Sequence, residues 1–483
     1  MSKKPQDRSA SVVAKAGLWY TICNFIFRGM AFLTTPIFTR ILSSAELGGF
    51  SNFTSWASIL IVLTSFDFSQ SVIRSKLEHE DDIDSYIWSL LSLSTLWTLL
   101  VYGVVLLFKD FFCNLMQIDP QYIHIMFLYL LTAPAYTMLI TKHRAFYKYK
   151  LFILLTGIMA VSGTLLSLVM VLLMQNKLSG RIIGYYLPHI LISAVIFVHL
   201  VIKGKKIKPK YWKYACIICL PLVPHVLSMY LLSSSDKILL TRFSGVEYTA
   251  IYSVAYSAYH IATILFDSMN KAWAPWLLEC LHLNKYEATR KVSKIYIGIF
   301  LLLIFGVLLM GPEIILILGG RQYASAVYCL PPLIASCVFQ LVYTMYVNIE
   351  FYEKKTIGVS IATIIATSIN IILDLILLPH CGANGYIVAA YTTLAGYIVL
   401  FILHYCIVRH MKMDHVYDIK FVVGALLLAL LAAGISTLLY DMAYIRYAVI
   451  LVYGAAILYF AFKYKNQLIA MLKNRKHKKA TAG

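Results

Sequence analysis

Apolar stretches long enough to cross a lipid bilayer recur along almost the entire chain. A membrane-spanning helix needs about 20 mostly apolar residues, because the hydrocarbon core of a bilayer is about 30 Å thick. Fourteen segments meet this requirement, and we number them as spans 1 to 14: residues 16–39, 47–68, 84–108, 121–140, 151–174, 182–202, 214–236, 248–275, 295–318, 324–349, 356–378, 384–408, 421–440 and 443–462. The sequence therefore predicts an all-α integral membrane protein with about 14 transmembrane helices.

The composition excludes a large water-soluble protein. Of the 483 residues, 60% are hydrophobic and only 13% are charged, whereas a soluble domain carries about 25% charged residues. The net charge of +20 does not indicate a nucleic-acid partner, because the cationic residues lie in short clusters between spans and not on one domain. The nine cysteines are scattered, so we expect buried thiols and no metal site.

Lysine and arginine are concentrated in alternate loops. The segments on the side of the amino terminus hold 32 of these residues, those on the other side hold 7, and 3 lie within or at the edges of spans. Because cationic loops are retained in the cytoplasm, this bias predicts a multi-pass protein with both termini cytoplasmic. The basic tail, with five cations between Lys473 and Lys479, suits anionic headgroups, so membrane lipids are expected partners.

The two halves of the sequence carry the same short motifs at nearly constant separation. The matched pairs are Thr39-Arg40 with Thr241-Arg242, Gly180 with Gly382, and Phe146-Tyr147 with Phe351-Tyr352, at separations of 202, 202 and 205 residues. Each repeat contains six spans, and an even number returns the chain to its starting side. The halves should therefore be related by a pseudo-twofold axis along the membrane normal.

The repeat predicts two parallel six-helix lobes around a central cleft, plus two C-terminal helices. We expect an N-lobe at residues 1–202, a basic cytoplasmic linker at 203–213 and a C-lobe at 214–410. Residues 411–483 then hold spans 13 and 14 and the basic cytoplasmic tail. Paired lobes of this kind are typical of transporters that work by alternating access.

Polar and charged side chains inside spans are the candidates for function. A charge at the bilayer centre costs at least about 2.5 kcal/mol, so retained charges usually face a cavity or a partner. Arg28 lies near the middle of span 1, one turn after Asn24, and a guanidinium binds phosphate oxygens in a bidentate fork. The alternative is a structural arginine paired with a buried carboxylate of another span. Lys271 in span 8 is a second candidate substrate ligand, and His225 follows two prolines that should bend span 7.

Three acidic residues and two basic ones have predicted roles in gating or coupling. Asp236 and Lys237, near the end of span 7, are a candidate gate or ion pair, and Asp267 lies four residues before Lys271, where a mutual ion pair is the simpler hypothesis. His260 and Asp374 are candidate proton or sodium sites, with a purely structural role as the alternative. Glu350, by contrast, is expected to be solvated at the inside surface.

Several segments, in their order along the chain, resemble one family. They are residues 39–48, Asp236-Lys237, residues 251–256, residues 274–276, and Asn370 to Asp374 followed by Pro379, Gly382 and Gly385. This order, over roughly residues 12–410, is similar to that of Wzx-type polysaccharide flippases. That family belongs to the multidrug/oligosaccharidyl-lipid/polysaccharide exporter superfamily, whose members have a MATE-like fold.

The resemblance implies a transporter that flips a polyprenyl-diphosphate-linked oligosaccharide across the bacterial plasma (inner) membrane for the biosynthesis of cell-surface polysaccharide. As the driving force we expect either an ion gradient, of H⁺ or Na⁺, or the membrane potential. A polysaccharide polymerase or glycosyltransferases are the expected partners. We expect neither enzymatic activity nor a cofactor, since the sequence has no Walker loop and no HExxH motif.

Three alternatives stay open. An ion-coupled multidrug or cation antiporter of the same fold would use acidic residues within spans. A peptidoglycan lipid-precursor flippase would also have fourteen spans and a basic cleft. A membrane polymerase or ligase would need a large outside loop, which the sequence lacks.

Overall fold

The computed structural model describes residues 32–463, in which helices are present and β-strands are absent. In the first half these are α1 (residues 32–41), α2 (Ser44–Ser65), α3 (Ser69–Glu78), α4 (Ile83–Leu107), α5 (Lys109–Met116), α6 (Pro120–Ala145), α7 (Tyr149–Leu173) and α8 (Lys177–Gly204). The predicted all-helical fold class is therefore confirmed.

In the described residues, the second half contributes ten α-helices. It contains α9 (Pro209–Cys219), α10 (Val223–Phe243), α11 (Val246–His282), α12 (Tyr286–Leu309), α13 (Gly311–Gly319), α14 (Leu330–Tyr352), α15 (Thr356–Cys381), α16 (Gly385–His410), α17 (Ile419–Leu439) and α18 (Ala443–Lys463). The short helix α5 follows α4 in the first half, and the short helix α13 follows α12 in the second. Predicted span 9 combined α12 with α13, which are separate helices.

The helices that the structure describes do not confirm the predicted number of fourteen spans. Nine segments between residues 44 and 439 are long and apolar enough to cross a membrane, and ten if the bent pair α9 and α10 forms one span. One of the nine, residues 356–410, holds both α15 and α16. Most of span 1 precedes the described residues, so the count of fourteen remains a prediction.

Buried apolar side chains form separate clusters in the two halves. One large cluster takes its fully buried members from residues 232–433, and two others take theirs from residues 53–219. Tyr211, Ala215 and Cys219 of α9 belong to a cluster of the first half. The lobe boundaries remain a prediction, but α9 packs with the helices that precede it.

The predicted linker at residues 203–213 is largely helical. Helix α8 continues to Gly204 and α9 begins at Pro209, which is favourable at the first position of a helix. The predicted bend in span 7 is present: α9 and α10 meet at 57°, beside Pro221 and Pro224. The break between these two helices lies at residues 220–222, seven residues beyond the predicted linker.

Asp82 of the first half binds the segment at the start of α9. Its Oδ2 accepts hydrogen bonds from the Lys208 ammonium and the Tyr211 hydroxyl. We expect Asp82→Ala to lower the free energy of unfolding by about 1 kcal/mol, because both donors lose a partly exposed acceptor. Thermal unfolding of the purified protein in detergent measures the change. Asp81→Ala, at an exposed neighbour, is the matched control, and equal effects of both variants would contradict the anchoring role.

Two ends of the bundle can be distinguished by their loops. We call the end with residues 146–148, 205–208 and 353–355 the basic face, and the other end, with residues 42–43, 117–119, 174–176 and 244–245, the opposite face. At the opposite face, the capping box of Ser43 and Glu46 begins α2: the Glu46 carboxylate accepts from Ser43 N at 2.7 Å. This cap fixes the turn that the family resemblance singled out.

The two halves are hydrogen-bonded to each other at the opposite face. Thr39 Oγ1 donates to Leu318 O at 2.6 Å, Gln322 Nε2 to Thr39 O at 2.5 Å, Arg40 Nη2 to Ile317 O at 3.2 Å and Arg242 Nη1 to Asn114 O at 2.9 Å. A further contact, Ser58 Oγ to Ser234 Oγ at 3.4 Å, lies deeper in the bundle. The structure is therefore closed at the opposite face.

Candidate functional site

A buried polar cluster joins four helices of the second half. Asp236 of α10 is 1% exposed, and its Oδ2 accepts hydrogen bonds from the Tyr252 hydroxyl of α11 and the Thr393 hydroxyl of α16. Its Oδ1 accepts from Asn370 Nδ2 of α15 at 3.4 Å. These donors stabilise a carboxylate that the apolar surroundings would otherwise disfavour.

Asp374 brings a second carboxyl group into the same cluster. It is fully buried, its Oδ1 accepts from Thr392 Oγ1 at 2.5 Å, and it lies close enough to interact directly with Asp236. Among the residues that the structure describes, its Oδ2 has no hydrogen-bond partner. Two adjacent buried carboxyl groups repel each other unless a cation or a proton lies between them.

The oxygen atoms of the cluster are of the type that binds hard cations. Carboxylate, amide and hydroxyl oxygens suit a small cation such as Na⁺ better than they suit a transition metal. In the described residues, no group of three or more His, Cys, Asp or Glu side chains is placed to hold a metal ion. The sequence assigned Asp236 to gating and Asp374 to coupling, whereas the fold places both in one cluster.

Lys237, the neighbour of Asp236 in the sequence, contacts an aromatic ring. Its Nζ lies 4.5 Å from the centroid of the Tyr256 ring, which is a cation–π contact. No salt bridge between Lys237 and Asp236 is present in the described part of the chain. His260, one turn after Tyr256 on α11, stacks edge-on against the same ring with centroids 5.1 Å apart and is exposed.

Lys271 and Asp267 occupy neighbouring turns of the long helix α11. Lys271 is exposed and Asp267 is half-buried. Between these two described residues there is no salt bridge, so the ion pair that their spacing suggested is not formed in this state. Lys271 therefore remains a candidate for contact with substrate.

Glu350 is buried against His404, where a solvated carboxylate was expected. Glu350 and His404 are both fully buried, with His404 Nδ1 and Glu350 Oε1 2.6 Å apart. The prediction that Glu350 is solvated is wrong, because α16 packs on α14 and covers it. Sequence alone gave no signal that these residues pair. His225, after the bend of α9 and α10, is half-buried, and its Nδ1 has no hydrogen-bond partner in the described residues.

Two predicted residues, Arg28 and Asn24, lie outside the described residues, as does the basic tail. The residues that sequence reasoning missed are the neutral partners of the carboxylates: Tyr252, Asn370, Thr392 and Thr393. Asn370 and Asp374 are one helical turn apart, which places them on the same helix face. That spacing was the available signal for the cluster.

A cavity of about 300 Å³ lies between the two halves, on the inner side of the closed opposite face. Its walls include Phe38 of α1, Thr54 of α2, Arg181 of α8 and Ser257 of α11. A second, apolar groove of about 490 Å³ lies between α12 and α17 and is lined by side chains such as Leu302 and Leu428.

Known structures share this fold. The chain is similar to the lipid II flippase MurJ in an inward closed conformation, with a TM-score of 0.65, 14% identity, and coverage of 93% of this chain and 100% of that one. It is also similar to an inward-facing multidrug resistance MATE family transporter, with a TM-score of 0.57, 13% identity, and coverage of 81% and 98%. At these identities the similarity shows a MATE-like fold.

Sequence comparison identifies the family. An uncharacterized membrane protein of Methanocaldococcus jannaschii is 24% identical over 433 residues, covering 80% of this chain and 81% of that protein. The sequence model of the family described as polysaccharide biosynthesis protein matches residues 13–281. With more than half of its length matched, this multi-pass membrane protein belongs to the polysaccharide biosynthesis protein family, the Wzx-type flippase family that its motifs resemble.

Proposed function

We propose that this protein flips a polyprenyl-diphosphate-linked oligosaccharide from the cytoplasmic to the outer leaflet of a bacterial plasma membrane. The proposal rests on membership of this family and on one structural observation. The two halves enclose a cavity lined in part by Arg181 and hydroxyl side chains, and they are hydrogen-bonded together at the opposite face. Both termini would be cytoplasmic, so the basic face would be the cytoplasmic one.

The bend between α9 and α10 supports a rocking motion of the lobes. Because α9 packs with the first half and α10 is hydrogen-bonded to α15 of the second, a change of the 57° angle would move one half against the other. The four hydrogen bonds at the opposite face would break as the cavity opens outward. The saccharide would cross through the cavity, while the polyprenyl chain stays in the lipid or in the apolar groove beside α17.

The substrate ligands in this proposal are cationic and polar. Arg28, with Asn24 one turn before it, would bind the diphosphate from span 1, because a guanidinium matches phosphate oxygens in a bidentate geometry. Lys271, exposed on α11, would provide a second positive charge. His225, next to the bend, would contact the substrate as the helix changes its angle.

A cation gradient would drive the cycle through the cluster of Asp236 and Asp374. The pair needs a positive charge to neutralise it, and its four supporting side chains come from α11, α15 and α16. Loss of the bound cation would therefore loosen the packing of α10 on its neighbours. His260, exposed on α11, stays a second candidate proton site.

The substrate role of Arg28 is tested by polymer export in a strain that lacks its own flippase. We expect Arg28→Ala to reduce export at least about tenfold, the effect of losing one charge-assisted contact of about 1.5–3 kcal/mol, and Arg28→Lys to retain part of it. Arg144→Ala, at an exposed cation in the last turn of α6, is the control. Full export by both Arg28 variants would reject this role.

One observation favours a second function, an ion-coupled antiporter of organic cations. The pair of Asp236 and Asp374 supplies the buried acidic site that such a transporter requires. Efflux of a membrane-permeant cationic dye from proteoliposomes separates the functions. Active efflux that polyprenyl-linked saccharides leave unchanged would favour the antiporter, and inhibition by those saccharides or no efflux favours the flippase.

A further inference from the structure

Arg181 is a cation inside the protein without an acidic partner. The sequence places it in a loop outside the membrane, but α8 begins at Lys177 and carries Arg181 into the cavity between the halves. No salt bridge of Arg181 is present among the described residues. Removing a guanidinium from water is unfavourable unless a counter-charge compensates it.

The contacts of Arg181 orient the guanidinium but do not neutralise it. Its Cζ lies 3.5 Å from the centroid of the Phe38 ring and 4.3 Å from that of the Phe50 ring, and both are cation–π contacts. Nη1 donates to Ser167 Oγ at 2.6 Å, and Nε has no hydrogen-bond partner in the part of the chain that the structure describes. A guanidinium has five N–H donors, and the hydrogen bond to Ser167 uses one of them.

The rest of the cavity supplies hydrogen-bond acceptors. The hydroxyls of Thr54, Ser253 and Ser257 donate to carbonyl oxygens of their own helices, so their lone pairs are available to the cavity. His189 Nδ1 is 2.8 Å from Tyr185 O; the ring must donate there, and in the neutral form Nε2 is then an acceptor. One cation among several acceptors matches a ligand that has an oxyanion and neighbouring hydroxyl groups.

We propose that Arg181 binds an oxyanion of the transported saccharide lipid, with the hydroxyls and His189 accepting hydrogen bonds from the sugar. This inference rests on the proposed function and deepens it. The oxyanion has two possible sources, a carboxylate on the saccharide or the diphosphate that links it to the lipid. Because the cavity lies directly inside the closed opposite face, the site is the last one that the substrate occupies before release.

Ligand-induced stabilisation of the purified full-length protein tests the site. Pyrophosphate, glucuronate and glucose are added separately, and the midpoint of thermal unfolding is followed in detergent at constant ionic strength. We expect both anions, but not glucose, to raise the midpoint of the wild type, and the anion that acts at the lower concentration identifies the source. Arg181→Gln should weaken the response at least about tenfold, and Arg181→Lys should retain part of it.

Arg321→Gln, at an exposed arginine of the opposite face, is the matched control and should respond like the wild type. If Arg181→Gln is not stably folded, comparison of Arg181→Lys with the wild type decides, since it keeps the charge but loses the fork geometry. An unchanged anion response in both Arg181 variants, or none in the wild type, would overturn the inference. Neither result depends on flipping, so failure of polymer export would reject the proposed function separately.

Discussion

Asp374→Asn is expected to abolish transport while leaving the protein at least as stable as the wild type in cation-free buffer. The amide keeps the shape of the carboxyl group and removes the repulsion between Asp374 and Asp236. The same change removes a charge that the bound cation requires, so affinity for the cation should fall by more than about 100-fold, the upper range for losing a supporting group. Substrate flux in proteoliposomes with and without a Na⁺ or H⁺ gradient measures the effect.

The control for this variant is Asp110→Asn, at an exposed carboxylate outside the cluster. It should support normal flux and keep the cation response. Thermal unfolding in NaCl and in choline chloride identifies the ion. If NaCl but not choline chloride raises the unfolding midpoint, and only Asp374→Asn loses this rise, the ion is sodium. If the midpoint rises only on acidification, the ion is a proton. Gradient-driven flux in Asp374→Asn equal to that of the wild type would refute coupling through this cluster.

Hydrophobicity alone predicted the helical membrane fold and most helix positions, because a bilayer imposes its thickness on the sequence. Asp236 and Asp374 were also identifiable, since charges within apolar segments are rare. Their contact could not be predicted, because the packing of α10 on α15 and α16 depends on the shapes of side chains that are far apart in the sequence. Thr392 and Thr393 gave no signal, since threonine is common in membrane helices.

Residues near helix ends were the hardest to place from sequence. Arg181 lies one residue before the predicted start of span 6, so its charge was counted with a loop. Five more residues of helix, back to Lys177, are enough to bring its side chain into the cavity. Glu350 lies one residue beyond span 10 and was expected in water, but the pairing with His404 depends on α16 and is invisible to any local pattern.

Gly48→Ala is expected to prevent closure of the opposite face and to stop transport. A Cβ atom at this position would lie 1.7 Å from Val246 O and 3.2 Å from Ala250 N, both backbone atoms of α11. Backbone cannot rotate out of the way as a side chain can, so α2 and α11 must separate. Overpacking of this kind costs about 1–3 kcal/mol, which destabilises the closed state relative to the state open at that face.

The rate at which a cysteine in the cavity reacts with a membrane-impermeant maleimide reports this change. With Ser257→Cys as the probe, Gly48→Ala should raise the rate of labelling from the opposite face at least about fivefold, which corresponds to 1 kcal/mol. Gly103→Ala is the matched control, because a Cβ atom there meets nothing within 4 Å. The hydrogen bonds of Thr39 and Gln322 also keep the opposite face closed, so their loss should raise the labelling rate too, but by a smaller factor. Unchanged labelling together with unchanged export in Gly48→Ala would mean that α2 and α11 need not approach this closely during the cycle.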